Sequence, residues 1–155
     1  MEANIYSQAT DAVMAARLAF KRYQNLTIAD RNEIIEALRT RLRDQADLLA
    51  RMTVEESGMG NVADKERKFL MALNNTPGVE DLVTEATTGD HGMTLYEYSA
   101  YGVVCTVLPC TNPCATLINN TISALAAGNT VIHCPNARAV KVSQYLTGLI
   151  GKIVF

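Results

Sequence analysis

The sequence lacks long apolar runs, a basic excess and internal repeats. No stretch of about 18 apolar residues occurs that could span a bilayer, and the opening residues MEANIYSQATDAV lack the basic and then apolar layout of a secretion signal. The formal net charge is −2, and the lysines and arginines are spread among acids, which argues against nucleic acid as a partner. These absences predict a cytoplasmic chain with neither a membrane nor a nucleic-acid partner.

The pattern of a structural zinc site is also missing. The four cysteines, Cys105, Cys110, Cys114 and Cys134, have the spacing C-x4-C-x3-C-x19-C, without the paired C-x2-C units that hold zinc. His91 lies in a polar turn with no second ligand at metal-binding spacing. We therefore expect no metal site, reduced thiols in or beside a core, and a histidine at the surface.

What the sequence does contain begins with helices. Apolar residues form one helical stripe over residues 11–24. A second helix is predicted to begin at Thr27, whose hydroxyl suits the amide of Asp30 in a capping box, and to continue through Leu49 into a helical stretch that ends at Ser57.

A third helix is predicted over residues 62–74, before Pro77-Gly78. Residues 1–86 are therefore predicted to form a helical layer. An extended or hairpin arm is expected over residues 87–100, with a turn at 87–92 and an extended strand at 93–98.

The character of the chain changes at Gly102. Residues 103–108 are short, apolar and rich in β-branched side chains, which is typical of a parallel strand buried on both faces. Pro113 suits the first turn of a helix, which should run to about Ala127 and end at Gly128. A second strand follows at residues 130–134.

A further helix is predicted over residues 137–148. Residues 101–155 thus read as the first βαβα unit of a Rossmann-like domain. The predicted fold class is α/β: a helical layer plus this unit, with an incomplete sheet, because a doubly wound sheet needs further strands.

In open α/β sheets, ligands bind where strands end and helices begin. Here that edge consists of residues 109–112 and 134–136, which we call the carboxyl edge. Asn112, at the start of a helix, could donate a hydrogen bond from its amide to an oxyanion; alternatively, Asn112 or Thr111 merely caps the helix. No G-x-G-x-x-G follows either strand, so the ordinary dinucleotide fingerprint is absent.

Three motifs carry a family resemblance: Y-G-V-V-C-T-V-L-P-C-T-N-P, the following I-N-N-T-I-S-A-L-A-A-G-N, and the upstream E-E-S-G-M-G. Together they resemble the CoA-acylating branch of the aldehyde dehydrogenase superfamily, which contains acetaldehyde and propionaldehyde dehydrogenases. The resemblance extends to about Ile150 and corresponds to an N-terminal fragment of a family member. It implies NAD as cofactor, coenzyme A as co-substrate and a small aldehyde as substrate.

The resemblance also implies roles for the carboxyl edge. Asn112 would be the catalytic oxyanion donor, although the hydrolytic branch has P-W-N-F-P, which places its asparagine opposite Thr111. Pro109, Cys110 and Thr111 would line the nicotinamide-ribose side of the cofactor. The adenosine ribose would lie beside Cys134 and Asn136, where acylating members usually have serine or asparagine followed by P-H-P; this departure puts the usual ribose contacts in doubt.

The family's nucleophilic cysteine, its acid and its pyrophosphate-binding helix have no counterpart in this sequence. Cys114 near a helix N-terminus, where the pKa of a thiol falls, or Cys110 could be considered as replacements, but no histidine or acid is close to assist either one. Residues 148–155 no longer resemble the family and end on an apolar run, which suggests a frameshift or truncation.

The sequence is therefore compatible with two functions. The first is the N-terminal portion of an NAD-dependent CoA-acylating aldehyde dehydrogenase, inactive alone. The second is a non-catalytic interaction module that pairs with intact family subunits. Pairing of the chain with itself, as a homo-oligomer, is an alternative to this. By resemblance, residence in a bacterial microcompartment is an alternative to free cytoplasm.

Overall fold

The computed structural model describes residues 5–154. A helical layer comes first, a hairpin follows, and a β-α-β-α unit completes the described chain, so the predicted α/β class with an incomplete sheet is confirmed. The helices are α1 (Ala9–Tyr23), α2 (Ile28–Arg43), α3 (Ala46–Ser57), α4 (Val62–Asn75), a short 3-10 helix (Val79–Asp81), α5 (Pro113–Ala126) and α6 (Val140–Val154). The strands are β1 (Glu85–Gly89), β2 (Gly92–Tyr96), β3 (Val103–Val107) and β4 (Thr130–Cys134).

The start of α2 has the predicted capping box. The Thr27 hydroxyl accepts a hydrogen bond from the Asp30 amide at 3.1 Å, and the Asp30 carboxylate accepts one from the Thr27 amide at 2.8 Å. The continuous helix predicted from Thr27 to Ser57 is wrong, however, because α2 ends at Arg43 and α3 begins at Ala46. The last turn of α2 tightens, with the Gln45 amide bonded to the Leu42 carbonyl, and the break lets α3 pack along α4 while α2 packs against α5 and α6.

The predicted arm is an antiparallel hairpin of β1 and β2, and it begins at Glu85, two residues before the predicted start at 87. Its register runs from Glu85 opposite Tyr96 to Gly89 opposite Gly92, and every residue of both strands is exposed. The turn predicted at residues 87–92 is shorter than expected, since Thr87 and Thr88 pair with Thr94 and Met93. Their β-branched side chains favour the extended backbone over a turn.

The parallel pair positions the carboxyl edge. β3 and β4 pair from Val103 opposite Thr130 to Val107 opposite Cys134, with α5 as the crossover. α5 ends at Ala126, close to the predicted end at about Ala127, and Gly128 (φ 79°) is the expected left-handed residue after it. The amides of Gly128 and Asn129 donate to the carbonyls of Leu125 and Ala124 in a Schellman motif.

The expectation that β3 is buried on both faces is wrong for its second half. Val107 is 82% exposed and Cys105 is also exposed. Within residues 5–154, β4 is the only strand that pairs with β3. α1 packs against the β3–β4 pair only near the start of the two strands, where the Thr130 hydroxyl donates to the Ala16 carbonyl at 3.1 Å.

The final helix also differs from its prediction, because it begins at Val140 rather than 137 and continues past 148 to Val154. The Asn136 side chain accepts a hydrogen bond from the Arg138 amide at 3.0 Å and holds the residues before α6 in a turn. Leu149, Ile150, Ile153 and Val154 pack against the core, which keeps the last turns helical.

One apolar core joins the helical layer to one face of the β3–β4 pair. Its largest fully buried members are Ile35, Leu38, Leu42, Leu49, Phe69, Leu73, Leu108, Leu117, Ile118, Ile122, Val142 and Leu146. These side chains come from α2 to α6 and from the end of β3, so the helical layer and the β-α-β-α unit share a single core. Among residues 5–154, no helix has both the length and the apolar character needed to cross a membrane.

Candidate functional site

The two loops of the carboxyl edge lie side by side because β3 and β4 run parallel. The pairing continues one residue beyond β3, where the Leu108 amide donates to the Cys134 carbonyl at 2.9 Å. Residues 109–112 then lead directly into α5, and residues 134–136 lead toward α6. All six predicted site residues lie on this edge and are at least partly accessible: Pro109, Cys110, Thr111, Cys134, Asn136 and Asn112.

The sixth, Asn112, occupies the N-cap position of α5 but does not cap the helix with its side chain. Its backbone angles are φ −141° and ψ 60°, and its side chain makes no capping hydrogen bond. Only its main-chain carbonyl serves the helix, by accepting from the Thr116 amide at 3.0 Å. The alternative in which the Asn112 side chain is simply a helix cap is therefore not what the structure has.

Lys65, on α4, contacts this loop although sequence reasoning did not select it. Its ammonium donates to the Thr111 carbonyl in a short contact, and its Nζ lies 3.4 Å from the Asn112 Oδ1. Burial, together with the nearby charge of Lys68, lowers the pKa of the Lys65 amine. The only sequence signal for this contact is that Lys65 follows the E-E-S-G-M-G motif closely.

Cys110 packs against the turn that precedes α4. Its thiol donates to the Met59 sulfur at 3.7 Å, and its side chain is half-buried. Pro109 is also half-buried, whereas Thr111 is exposed. Residues 109–111 thus present an apolar, partly covered surface that ends at the exposed Thr111.

Cys114 is unsuited to be a nucleophile, and the expectation of a lowered thiol pKa at the helix start is wrong. The side chain is 4% exposed, and burial raises the pKa of Cys114 to about 11. The Thr53 hydroxyl donates to the Leu49 carbonyl at 2.7 Å, so its contact with the Cys114 sulfur at 3.4 Å is one in which the thiol donates. Desolvation of the thiolate outweighs the helix N-terminus here.

On the second loop, Cys134 is exposed and its sulfur lies 3.6 Å from that of Cys105 on β3. The hydrogen bond between the two thiols, together with partial burial, raises the pKa of Cys105. All four cysteines are free thiols, as expected, but Cys105 and Cys134 lie at the surface rather than beside the core. The Asn136 Oδ1 accepts from the Arg138 amide at 3.0 Å, and within residues 5–154 its Nδ2 makes no hydrogen bond.

The E-E-S-G part of the third motif connects α3 to the second loop. The Glu56 carboxylate accepts hydrogen bonds from the amides of Lys141 and Val142, both at 2.8 Å, in the first turn of α6. The Arg138 guanidinium donates to the Ser57 carbonyl in a short contact. This motif therefore fixes the position of the loop that carries Asn136.

Two hollows lie near the sheet ends. A cavity of about 10 Å³ lies behind Asn112, between Lys65, Cys114 and Phe69, and is at the lower limit for one water molecule. A more open cleft of about 400 Å³ lies at the opposite end of the strands, beside Tyr23, Arg31 and Gly128. This larger cleft is separate from the carboxyl edge, which is the end where parallel sheets usually bind ligands.

Over residues 5–154, no group of three histidine, cysteine or acidic side chains is arranged to hold a metal ion. His91 is exposed in the hairpin turn. His133 is enclosed between β3 and α5, with its ring nitrogens bonded to Thr106 and Thr121.

The model of the aldehyde dehydrogenase family matches residues 2–155 of this chain. The match runs past Ile150, so the expectation that residues 148–155 no longer resemble the family is wrong. The chain is 49% identical over 151 residues to the CoA-propanoylating propanal dehydrogenase of Salmonella typhimurium, and this match covers 97% of the chain and 32% of that protein. It is 42% identical over 153 residues to the acetylating acetaldehyde dehydrogenase of Escherichia coli, covering 99% of the chain and 32% of that protein.

Solved structures agree with these sequence matches. The propionaldehyde dehydrogenase of Rhodopseudomonas palustris with bound propionyl-CoA superposes with a TM-score of 0.92 at 40% identity, over 97% of this chain and 34% of that chain. A propionaldehyde dehydrogenase from a fucose-utilisation microcompartment of Clostridium phytofermentans gives a TM-score of 0.92 at 41% identity, over 98% of this chain and 35% of that chain. This chain matches the N-terminal part of such acylating enzymes and spans only a minor share of their length.

Proposed function

This chain belongs to the aldehyde dehydrogenase family, and on that premise we propose that it supplies one wall of the active site of an NAD-dependent, CoA-acylating aldehyde dehydrogenase. The overall reaction would convert an aldehyde, CoA and NAD into an acyl-CoA and NADH. The observation that carries the proposal is the side chain of Asn112, which stands at the carboxyl edge without capping α5.

The proposed role of Asn112 is to stabilise negative charge on oxygen. When a thiolate adds to an aldehyde carbon, the carbonyl oxygen becomes anionic, and a neutral amide N–H can donate to it without a change of charge on the protein. The hydride then leaves the substrate carbon for NAD and a thioester remains, and the same donor would serve again when the thiol of CoA attacks that thioester and displaces the enzyme thiol. A fixed donor aimed at that oxygen lowers both barriers, because it binds the charged intermediate more tightly than the neutral carbonyl.

The remaining residues of the carboxyl edge are proposed to contact the cofactor. Pro109, Cys110 and Thr111 would face the nicotinamide ribose, and Cys134 and Asn136 the adenosine ribose. Their accessibility fits one side of a nucleotide, as does the Asn136 Nδ2, which has no hydrogen-bond partner in the part of the chain that the structure describes. The Gly-rich phosphate loop, however, is absent from both strand ends. When bound, NAD would accept the hydride that leaves the substrate carbon.

This chain alone is proposed to be inactive. Cys114 is protonated and buried, and no described histidine or carboxylate forms a hydrogen bond with Cys110, whose thiol bonds to Met59. Neither cysteine therefore has the activation that a catalytic thiol needs. The nucleophile would come from the part of the enzyme that the relatives possess beyond the matched segment.

The test is a chimaera in which residues 2–155 of this chain replace the matching segment of the Salmonella propanal dehydrogenase. If Asn112 is the oxyanion donor, Asn112→Ala should lower kcat about a hundredfold or more. Thr111→Ala is the matched control and also settles the register, since the larger kinetic loss should follow the true donor. Small and equal losses at both positions would contradict the oxyanion role.

The alternative function, a non-catalytic module that pairs with intact family subunits or with itself, has one supporting feature. The hairpin exposes apolar side chains on β2 and just beyond it, including Met93 at 62%, Leu95 at 60% and Tyr98 at 74%. Co-expression with an intact family subunit would favour this function if a stable complex forms and depends on these three residues. A location in the cytoplasm or in a microcompartment, like that of the Clostridium relative, remains part of the proposal.

A further inference from the structure

Within residues 5–154, the ammonium of Lys65 has two hydrogen-bond acceptors, and both belong to the carboxyl edge. They are the carbonyl oxygen of Thr111 and the side-chain oxygen of Asn112, on consecutive residues. Its neighbour Asp64 is already engaged by Arg67 and Asn61, and none of the ion pairs recorded between residues 5 and 154 includes Lys65. The cation is thus directed at the loop rather than at a carboxylate.

The charge of Lys65 determines which end of the Asn112 amide faces it. An ammonium is a donor only, so the amide oxygen is the favourable partner and the NH2 group would be repelled. With the oxygen turned toward Lys65, the NH2 group is the end that remains available to another acceptor. An oxyanion is an acceptor of that kind.

The path of the Lys65 side chain is fixed by the turn before α4. Gly60 has φ 78°, and a β-carbon placed on it would lie 3.0 Å from Cε of Lys65 and 3.4 Å from its Nζ. The absence of a side chain at Gly60 therefore gives Lys65 room to cross the turn and reach Thr111. Lys65 is also half-buried, which reduces the competition of water for its ammonium.

We propose that Lys65 is a positioning residue for Asn112, and that its ammonium holds the amide oxygen so that the NH2 group is presented to the oxyanion. This inference rests on the proposed function, since it assigns a support to the same donor. Lys65 itself need not touch the substrate. Its effect is on the orientation of Asn112 and of the loop that carries it.

The kinetic test uses the same chimaera. Lys65→Met should lower kcat about tenfold, less than the loss from Asn112→Ala, with KM for the aldehyde nearly unchanged, because orientation rather than binding is lost. Lys68→Met is the matched control: it removes the same charge one turn away on α4, where Lys68 is exposed. In the Asn112→Ala background, Lys65→Met should have no further effect on kcat.

Two kinetic outcomes would overturn the inference. One is equal kcat for the Lys65→Met and Lys68→Met enzymes. The other is a full tenfold loss from Lys65→Met when Asn112 is already alanine. By contrast, an unchanged kcat on Asn112→Ala would overturn the proposed function, so the two failures are distinguishable.

A second measurement needs no activity and uses the chain itself. In ¹⁵N-labelled protein, the side-chain NH2 resonances of Asn112 are identified by their loss in the Asn112→Ala variant. Lys65→Met should shift this pair, while Lys68→Met leaves it in place. An unshifted pair in the Lys65→Met protein would show that Lys65 does not hold the amide, whatever the chimaera does.

Discussion

His133 is held between two hydroxyl groups, one from β3 and one from α5. Its Nδ1 lies 2.7 Å from the Thr106 Oγ1, and its Nε2 lies 3.0 Å from the Thr121 Oγ1. The Thr121 hydroxyl already donates to the Leu117 carbonyl at 2.8 Å, so it accepts from Nε2–H and leaves Nδ1 to accept from Thr106. Burial of this neutral ring lowers the pKa of His133 to about 4.

This histidine should make folding stability depend on pH. Because its folded-state pKa is depressed, its contribution is fully present above its ordinary value of 6.5 and is lost as the pH falls toward about 4. Between pH 7 and pH 4.5 the loss should amount to about 2 kcal/mol for a shift of this size. Urea unfolding at pH 7 and pH 4.5 measures it.

The matched control for this prediction is His133→Gln, which keeps hydrogen-bonding groups near both threonines but does not titrate. The carboxylates lose the same stability in both proteins, so the difference between them isolates the histidine. A wild-type protein that loses no more stability than His133→Gln over this pH interval would contradict the prediction.

Local sequence signals predicted residues at the carboxyl edge but not their partners. Asn112 stands out because it precedes a proline at a helix start, and Thr27 because of the capping box. Lys65 carries no such signal, because its contact with Thr111 joins two positions 46 residues apart. The thiol pKa of Cys114 was predicted in the wrong direction, since the helix position is visible in the sequence whereas the burial against Thr53 is not.

At the level of elements, the first turn of α6 depends on α3. Glu56→Ala removes the acceptor of the Lys141 and Val142 amides and should lower the free energy of unfolding by about 1–2 kcal/mol, the usual effect of losing a cap with negative charge at a helix start. Glu55→Ala, an exposed neighbour on the same helix, should have little effect. Equal destabilisation by both substitutions, measured by urea unfolding, would refute the cap.

Helix ends were predictable where side chains or glycine close them locally. The start of α2 and the end of α5 agree with the sequence analysis for this reason. The break at Asp44–Gln45 has neither glycine nor proline and follows from the packing of α3 along α4. The start of α6 could not be predicted from local sequence either, since its capping carboxylate is 85 positions away in sequence.

For the whole molecule, the β3–β4 pair has one covered face and one face that is covered only in part. The fold class was predictable from the order of apolar strands and helices. The exposure of the second half of β3 was not predictable, because a continuous apolar run is compatible with burial on both faces. Cys105 and Val107 are exposed, although the apolar run predicted that both would be buried.

The isolated chain should form no NADH above background from propionaldehyde, CoA and NAD, and it should bind NAD with a dissociation constant no lower than about 1 mM. One wall of a nucleotide cleft gives few contacts, and both strand ends lack a Gly-rich phosphate loop. An enzyme assay and calorimetric titration measure the two quantities. NADH formation that disappears in Cys110→Ser or Cys114→Ser, or a dissociation constant well below 1 mM, would contradict this prediction.

The turn that joins α3 to α4 has a consequence for how insertions and deletions are tolerated. Met59 contacts Cys110, Gly60 makes room for Lys65, and Ser57 just before the turn accepts from Arg138. This short turn, with Ser57 before it, therefore contacts both loops of the carboxyl edge and fixes their positions. An inserted residue in this turn should therefore displace the two loops relative to each other. The hairpin turn near His91 is exposed, so its length should be able to change without disturbing the rest of the structure.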